Sequence, residues 1–422
     1  TRHFDVISRS SSSKEYGIES NNIFQFDFAG TIFSMIFVFS LIVTLIGSYN
    51  FNYKKMEIFY ALLLFSTGAM ILASYSNNLI AMFVTFETAS ISTYALSAFT
   101  KEKRSLEASL KFFVIGALSS AFLLLGISYY YIATGTFQIT SSYTDFTMFM
   151  LSFIFFIIGF GFKLSLFPFH SWAVDTYTGS RAPISSFLST ASKLMALVIM
   201  LRLMLVAFPL NYVNTFFIVL SVITMFYGNI TAIMQKDVKR MLAYSSIANA
   251  GYMVLVFTVS KSALADALGA IILFAIAYVI MKGGSFISME AFENNKKETT
   301  LESISGLGKT NPILAFSLSV LLLSLAGVPP TIGFMGKFYL FMSLVESGLV
   351  WLAIVAVINS AISVYDYFRV IMYMYWKGPS SAVLKLRNVD FLVLFLALIA
   401  IILGIFAPFY FSGLLNAWGG IP

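Results

Sequence analysis

The chain has 422 residues, 59% of them hydrophobic and 11% charged, with a mean hydropathy of +0.87 and a formal net charge of +7. A soluble domain averages about a quarter charged residues, so the main solvent here is lipid and no segment reads as a water-soluble domain. There is no cysteine and there are two histidines, His3 and His170, which excludes thiolate-bound iron–sulfur clusters, cysteine zinc sites, disulfides and a bis-histidine haem on this chain.

Residues 1–28, with Ser10 to Ser13 in a row, read as an exposed lead-in to a single transmembrane domain over 29–422. A helix needs about 20 apolar residues to cross about 30 Å of hydrocarbon. That rule predicts spans near 29–48, 57–75, 78–98, 109–132, 147–168, 183–207, 213–234, 239–259, 264–290, 312–345, 349–374 and 389–412. The 312–345 segment is too long for one straight span and holds Gly327, Pro329, Pro330, Gly333 and Gly336 in its middle.

Basic residues decide how to count it. Taken as one span, it leaves fifteen Lys and Arg in alternate loops on one face: Lys54 and Lys55, Lys101 to Arg104, Arg181, Lys236 to Arg240, Lys296 to Lys309, and Lys377 to Arg387. The other face has Lys261, with Arg2, Arg9 and Lys14 of the lead-in. The positive-inside rule therefore predicts twelve spans, one broken helix over 312–345 and both termini outside. The expected location is a plasma or inner membrane, or its organellar equivalent. The net charge is a topology signal rather than a nucleic-acid footprint, and no Gly-rich nucleotide loop occurs in a strand–helix context.

Seven cations fall inside spans: Lys111, Lys163, Lys193, Arg202, Lys282, Lys337 and Arg369. Each would cost roughly 2.5–3.5 kcal/mol at the bilayer centre. Lys111 begins its helix at the basic face, where snorkelling and a functional role both fit. Snorkelling accounts for Arg202, and an ion pair with Asp366 one turn earlier accounts for Arg369. Lys163, Lys193, Lys282 and Lys337 lie deep, each on its own helix, while Glu87 is the mid-depth carboxylate. One carboxylate cannot neutralise four ammonium groups. Desolvation lowers a lysine pKa from about 10.4 by as much as 3–5 units, which suits an amine to carrying protons at working pH. His170, two turns beyond Lys163, fits a proton-inlet role or a loop anchor equally.

Two five-span blocks, 57–207 and 213–374, each carry prolines in their fourth span, Pro168 and Pro329-Pro330. An odd number of spans inverts one block relative to the other, the inverted-repeat architecture of many transporters. Broken helices are tolerated only where they line protein or water, and Lys163 and Lys337 sit beside the two breaks.

The run Gly161-Phe-Lys-Leu-Ser-Leu-Phe-Pro-Phe-His-Ser-Trp-Ala-Val-Asp-Thr-Tyr-Thr-Gly179 resembles the broken-helix signature of the antiporter-like membrane subunits of respiratory complex I, the NADH-quinone oxidoreductase. So do Ser189-Thr-Ala-Ser-Lys193, Asp237-Val-Lys-Arg-Met-Leu-Ala-Tyr-Ser-Ser246 and Ala326-Gly-Val-Pro-Pro-Thr-Ile-Gly-Phe-Met-Gly-Lys337. The tail from Asn359 to Trp376 resembles the N-type subunit, the counterpart of mitochondrial subunit 2. The resemblance implies that Glu87 is the family's buried glutamate and Lys163 its partner. It makes Lys193 the central lysine and Lys337 the lysine of the second broken helix, with Lys111, His170 and Lys282 as secondary candidates.

It also implies proton translocation driven by quinone reduction in partner subunits. Those partners would be other antiporter-like and small membrane subunits, and flavin, iron–sulfur clusters and quinone would lie outside this chain. Three features depart from the family pattern: twelve spans where fuller members have fourteen, Lys282 where an L-type subunit has its lysine, and Arg181 where a small residue is usual. The rival readings are a cation/proton antiporter subunit without a redox partner and a scaffold with static buried charges.

Overall fold

The computed structural model describes residues 23–51, 53, 55–208, 210–378 and 388–415. Most of the lead-in lies outside the described residues, with His3 and Ser10 to Ser13, as do Lys54, Lys385 and Arg387 of the basic loops. The described residues are helical nearly throughout, as apolar runs in lipid must be to satisfy their own backbone groups.

In chain order the first half comprises α1 (Phe28–Gly47), α2 (Met56–Tyr75), α3 (Leu79–Ser97), α4 (Lys103–Thr134), α5 (Phe146–Leu164), α6 (Ser171–Gly179), α7 (Ala182–Phe187) and α8 (Lys193–Ala207). The second half comprises α9 (Leu210–Ile233), α10 (Val238–Met253), α11 (Leu264–Tyr278), α12 (Gly284–Asn294), the short α13 (Leu301–Ile304) and α14 (Leu307–Thr310), α15 (Pro312–Ala326), α16 (Ile332–Glu346), α17 (Val350–Trp376) and α18 (Asn388–Leu415). Among the described residues, eleven helical stretches are long and apolar enough to cross a membrane. The pair α15 and α16 supplies the twelfth crossing, each half being too short to span alone.

Side-chain caps start many of these helices. Asp27 accepts from Gly30 N–H at 2.7 Å, Asn78 from Ile80 N–H at 2.9 Å, Asp145 from Thr147 N–H at 2.8 Å and Asp237 from Arg240 N–H at 2.8 Å. α4 begins at Lys103, so Lys111 is two turns inside its helix rather than at the start.

The predicted interruptions are where chain chemistry puts them. α5 ends at Ser165 in the left-handed region, φ 55°, and a loop through Phe167-Pro168 leads to α6. α15 ends at Gly327, φ 84°, before Pro329 and Pro330. Left-handed backbone closes a helix by returning N–H groups to the last carbonyls, which glycine does without Cβ strain and serine does at about 1 kcal/mol. α18 passes the second break so closely that a Cβ on Gly404 would overlap the Pro330 carbonyl and the Thr331 backbone.

α8, α10 and the α11–α12 stretch are the most enclosed spans, whereas α2, α4, α9 and α17 present large apolar side chains outward, among them Phe65, Leu118 and Ile354. The buried cations come from the enclosed helices and from the two interrupted ones.

Candidate functional site

Two π turns set the centre of the site. Residues 188–192 form one between α7 and α8, and residues 279–283 form the other between α11 and α12. The two turns pack against each other. A π turn adds a residue to the helical repeat and rotates the next stretch of helix about its axis. Lys193 leaves the first turn and Lys282 sits in the second, both fully buried.

Both lysines reach α10, and they bind neighbouring serines. Lys193 Nζ donates to Ser246 Oγ at 2.6 Å and to the Ser246 carbonyl at 2.9 Å. Lys282 Nζ donates to Ser245 Oγ at 2.6 Å and to the Leu242 carbonyl at 2.9 Å. Each serine hydroxyl has a tyrosine behind it: Ser246 shares a 2.8 Å hydrogen bond with Tyr278, and Ser245 one with Tyr367. One helical turn along the same face, Asn249 donates to the Ser245 carbonyl at 2.7 Å.

Two turns along, Tyr252 presents its ring to Lys337 Nζ, 4.9 Å from the centroid. Lys337 itself reaches back across the second break to the Leu325 carbonyl at 2.8 Å and sideways to Ser360 Oγ at 3.0 Å. The free carbonyls left by the broken helix are therefore what holds this amine. Ser245, Ser246, Asn249 and Tyr252 make α10 a polar spine that serves three lysines.

Lys163 occupies the other break. In the last turn of α5, its Nζ donates to Ser90 Oγ at 3.0 Å and Thr93 Oγ1 at 3.4 Å of α3, surrounded by the rings of Phe86, Tyr94 and Phe112 at 5.2–5.6 Å. Glu87, half-buried on the same helix, accepts a hydrogen bond from Ser120 of α4 and stays within electrostatic reach of Lys163. Tyr177 lies close to both Ser165 of the break and Ser246 of the spine, between the Lys163 region and Lys193. Among the described residues, no carboxylate comes within ion-pair distance of Lys163, Lys193, Lys282 or Lys337.

Several expectations change. Arg202 does not snorkel: its Nη2 meets both oxygens of Asp27 at 2.7 Å and its Nε donates to the Ser74 carbonyl at 2.5 Å. Arg369 does not pair with Asp366; it donates to the carbonyls of Ile233 and Gln235 at 2.6 and 2.7 Å. Glu87 is not alone among carboxylates enclosed by the bundle, because Asp366 within α17 is 2% exposed and Glu290 near the loop end of α12 is fully buried.

Of the secondary candidates, Lys282 belongs to the lysine group, whereas Lys111 and His170 stand apart from it. Lys111 is exposed and pairs with Glu107 and Asp175 at 3.0 and 2.9 Å. His170 stands at the start of α6, its ring 4.2 Å from that of Tyr227 and its Nδ1 without a hydrogen-bond partner among the described residues. The spine and its tyrosines were not among the expected site residues. Their signal was there in Ser245, Ser246, Asn249 and Tyr252, a helical stripe of polar groups inside an apolar span.

This is a polytopic helical membrane protein with deep amines grouped around interrupted helices. The family described as NADH:quinone oxidoreductase/Mrp antiporter, TM, matches residues 76–363. The chain belongs to that family. It is 38% identical over 400 residues to F(420)H(2) dehydrogenase subunit N of Methanosarcina mazei, covering 90% of this chain and 80% of the relative. It is 41% identical over 330 residues to NADH-quinone oxidoreductase subunit N of Trichlorobacter lovleyi, covering 75% and 67%. A chain of respiratory complex I from Thermus thermophilus with bound aureothin superposes with a TM-score of 0.82 at 29% identity, covering 94% of this chain and 87% of that one.

Proposed function

We propose that this chain is the N-type membrane-arm subunit of a respiratory oxidoreductase of the NADH-quinone class, moving protons through buried amines while partner subunits carry the electrons. The observation that carries the reading is the α10 spine. Lys193, Lys282 and Lys337 are held by hydroxyls, carbonyls and an aromatic face instead of carboxylates. A serine hydroxyl accepts from an ammonium and donates to a neutral amine. Lysines held this way release and regain a proton without breaking an ion pair.

A static scaffold calls for the opposite arrangement, since an uncompensated buried charge is strongly destabilising. Both curated relatives named above are N subunits of redox complexes, which favours a redox-driven subunit over an antiporter without one. Flavin, iron–sulfur clusters and quinone belong to partner subunits in this reading, and the isolated chain has no redox chemistry. The basic loops face the cytoplasm or its organellar equivalent.

Affinity purification of the tagged chain from detergent-solubilised native membranes tests the partnership. Flavin- and iron–sulfur-containing subunits should come with it, and Lys193→Met should abolish proton uptake by vesicles while the complex still assembles. Purification without redox partners would sink the complex assignment, and full uptake in an assembled Lys193→Met complex would sink the translocation route.

A further inference from the structure

Five loops at one end of the bundle meet around a cavity of about 1030 Å³ with a charged wall. At its floor four charges lock three elements together. Arg181, just before α7, pairs with Glu290 Oε1 at 2.5 Å, approaches Glu293 Oε2 at 3.6 Å and donates to Asn294 Oδ1 at 2.8 Å. Lys239 of α10 donates to Glu293 Oε1 and to the Ser180 carbonyl, both at 2.6 Å. The Ala182 N–H donates to Glu293 Oε2 at 2.9 Å.

Glu293 is therefore bound at both oxygens, and Glu290 is not. Its Oε2 is buried and has no hydrogen-bond partner among the described residues. Asn50 Nδ2, Thr100 Oγ1, Arg181 Nε and Asn294 Nδ2 are buried without a hydrogen-bond partner too, and all four residues line the cavity. An unmet buried polar group costs about 1–3 kcal/mol. Four of them line one roomy polar space and mark it as hydrated, since water is the partner that meets such groups, and the fifth, Glu290 Oε2, lies just behind that wall on the far side of Arg181.

We propose that this cavity is the aqueous inlet of the translocation route, with Glu290 accepting protons from it and Arg181 holding Glu290 closed between transfers. The proposal rests on the translocation reading above. Glu290 lies on α12, which begins directly after the second π turn, and Lys282 of that turn lies two turns deeper, roughly 12 Å of helical rise away. Ser186 lies beside the path, donating to the Gly283 carbonyl at 3.2 Å.

A proton from cavity water binds Oε2 and turns the carboxylate into a neutral acid. Arg181 keeps Glu293 and Asn294, so it is not stranded when Glu290 is neutralised. Transfer of that proton to the neutral amine of Lys282 restores the carboxylate and the ion pair.

The test uses membrane vesicles holding the assembled complex. Thr100→Cys on this cysteine-free chain should be labelled by a bulky, membrane-impermeant thiosulfonate added from the side of the basic loops. Labelling should cut proton uptake at least five-fold relative to the same vesicles before labelling. Glu290→Gln should lose uptake to a similar extent without any label. If that variant does not assemble, the labelling arm decides, because it acts after assembly. A cysteine that stays unlabelled, or full uptake after complete labelling in a system where Lys193→Met has lost it, overturns the inlet and leaves the translocation reading standing. Full uptake in Lys193→Met would overturn both.

Discussion

Glu87 and Lys163 are bound apart. Lys163 Nζ donates to Ser90 Oγ at 3.0 Å, one turn along α3 from Glu87, while Glu87 takes its hydrogen bond from Ser120 of α4. The lysine therefore already has the partners that would hold it when the carboxylate is away, and the carboxylate has its own. Two resting positions of this kind are what a switchable pair requires, since closing or opening it changes how strongly the amine holds its proton.

If the pair switches, Lys163→Met and Glu87→Gln should each reduce proton uptake on the order of ten-fold in an assembled complex. The double mutant should lose far less than the two effects combined, because both substitutions break the same interaction. Native gels monitor assembly and vesicle assays measure uptake. Full pumping by an assembled Lys163→Met complex would end the switch hypothesis.

The tyrosine behind Ser246 gives a gentler test of the spine. Tyr278→Phe keeps the ring and removes only the hydroxyl that shares the 2.8 Å hydrogen bond with Ser246 Oγ. One neutral hydrogen bond is worth about 1 kcal/mol, so translocation should slow roughly five-fold with assembly unchanged. An equal loss of assembled complex and of uptake would instead mark Tyr278 as a packing residue.

Much of this architecture was legible in the chain, and the reasons are physical. Lipid forces apolar runs of fixed length, so α1, α2, α3, α5 and α17 fall within a few residues of the expected spans, while α4 starts six residues early. Pro168 and Pro329-Pro330 marked both interruptions, and the deep lysines stood out against apolar surroundings. The π turns did not, because neither Leu188–Ser192 nor Val279–Gly283 carries a proline to announce it; they become visible only when the two helices pack. Pairing across long separations was equally hidden. Asp27 and Arg202 lie far apart in the chain, and Arg369 has an acidic residue one turn away yet bonds carbonyls of another helix. Glu290 was masked by its place at the end of an apolar run, where a carboxylate normally meets water.

The Arg202–Asp27 clamp is a stability element, and it should behave as one. It joins α8 to the start of α1, and through the Ser74 carbonyl to the end of α2, with the arginine side chain only 8% exposed. Removing one partner of a buried pair leaves the other uncompensated, at roughly 3 kcal/mol. Arg202→Ala should lower the melting temperature of the purified complex in detergent markedly, and Asp27→Asn less, because it keeps one hydrogen-bonding oxygen. Any complex that assembles should still pump at a normal rate per molecule, the outcome that separates this clamp from the lysines. A selective loss of pumping with unchanged melting would reverse the assignment.

Orientation can be read with two cysteines. Glu298 is exposed in a basic loop beside the charged cavity, and Ser142 is exposed in the connection between α4 and α5 at the other end of the bundle. Lysine and arginine excess marks the side that is not translocated, and Lys101, Lys103, Arg104, Lys239, Lys296 and Lys297 all lie in loops or in the first helical turns at the Glu298 end. In right-side-out vesicles an impermeant maleimide should label Ser142→Cys at once and Glu298→Cys only after permeabilisation. Inside-out vesicles should give the reverse, and because the chain has no native cysteine, every signal on its own band comes from the introduced one. Immediate labelling of Glu298→Cys in right-side-out vesicles would invert the bundle. The proposed inlet would then open on the opposite face, and the direction of proton movement would have to be reversed with it.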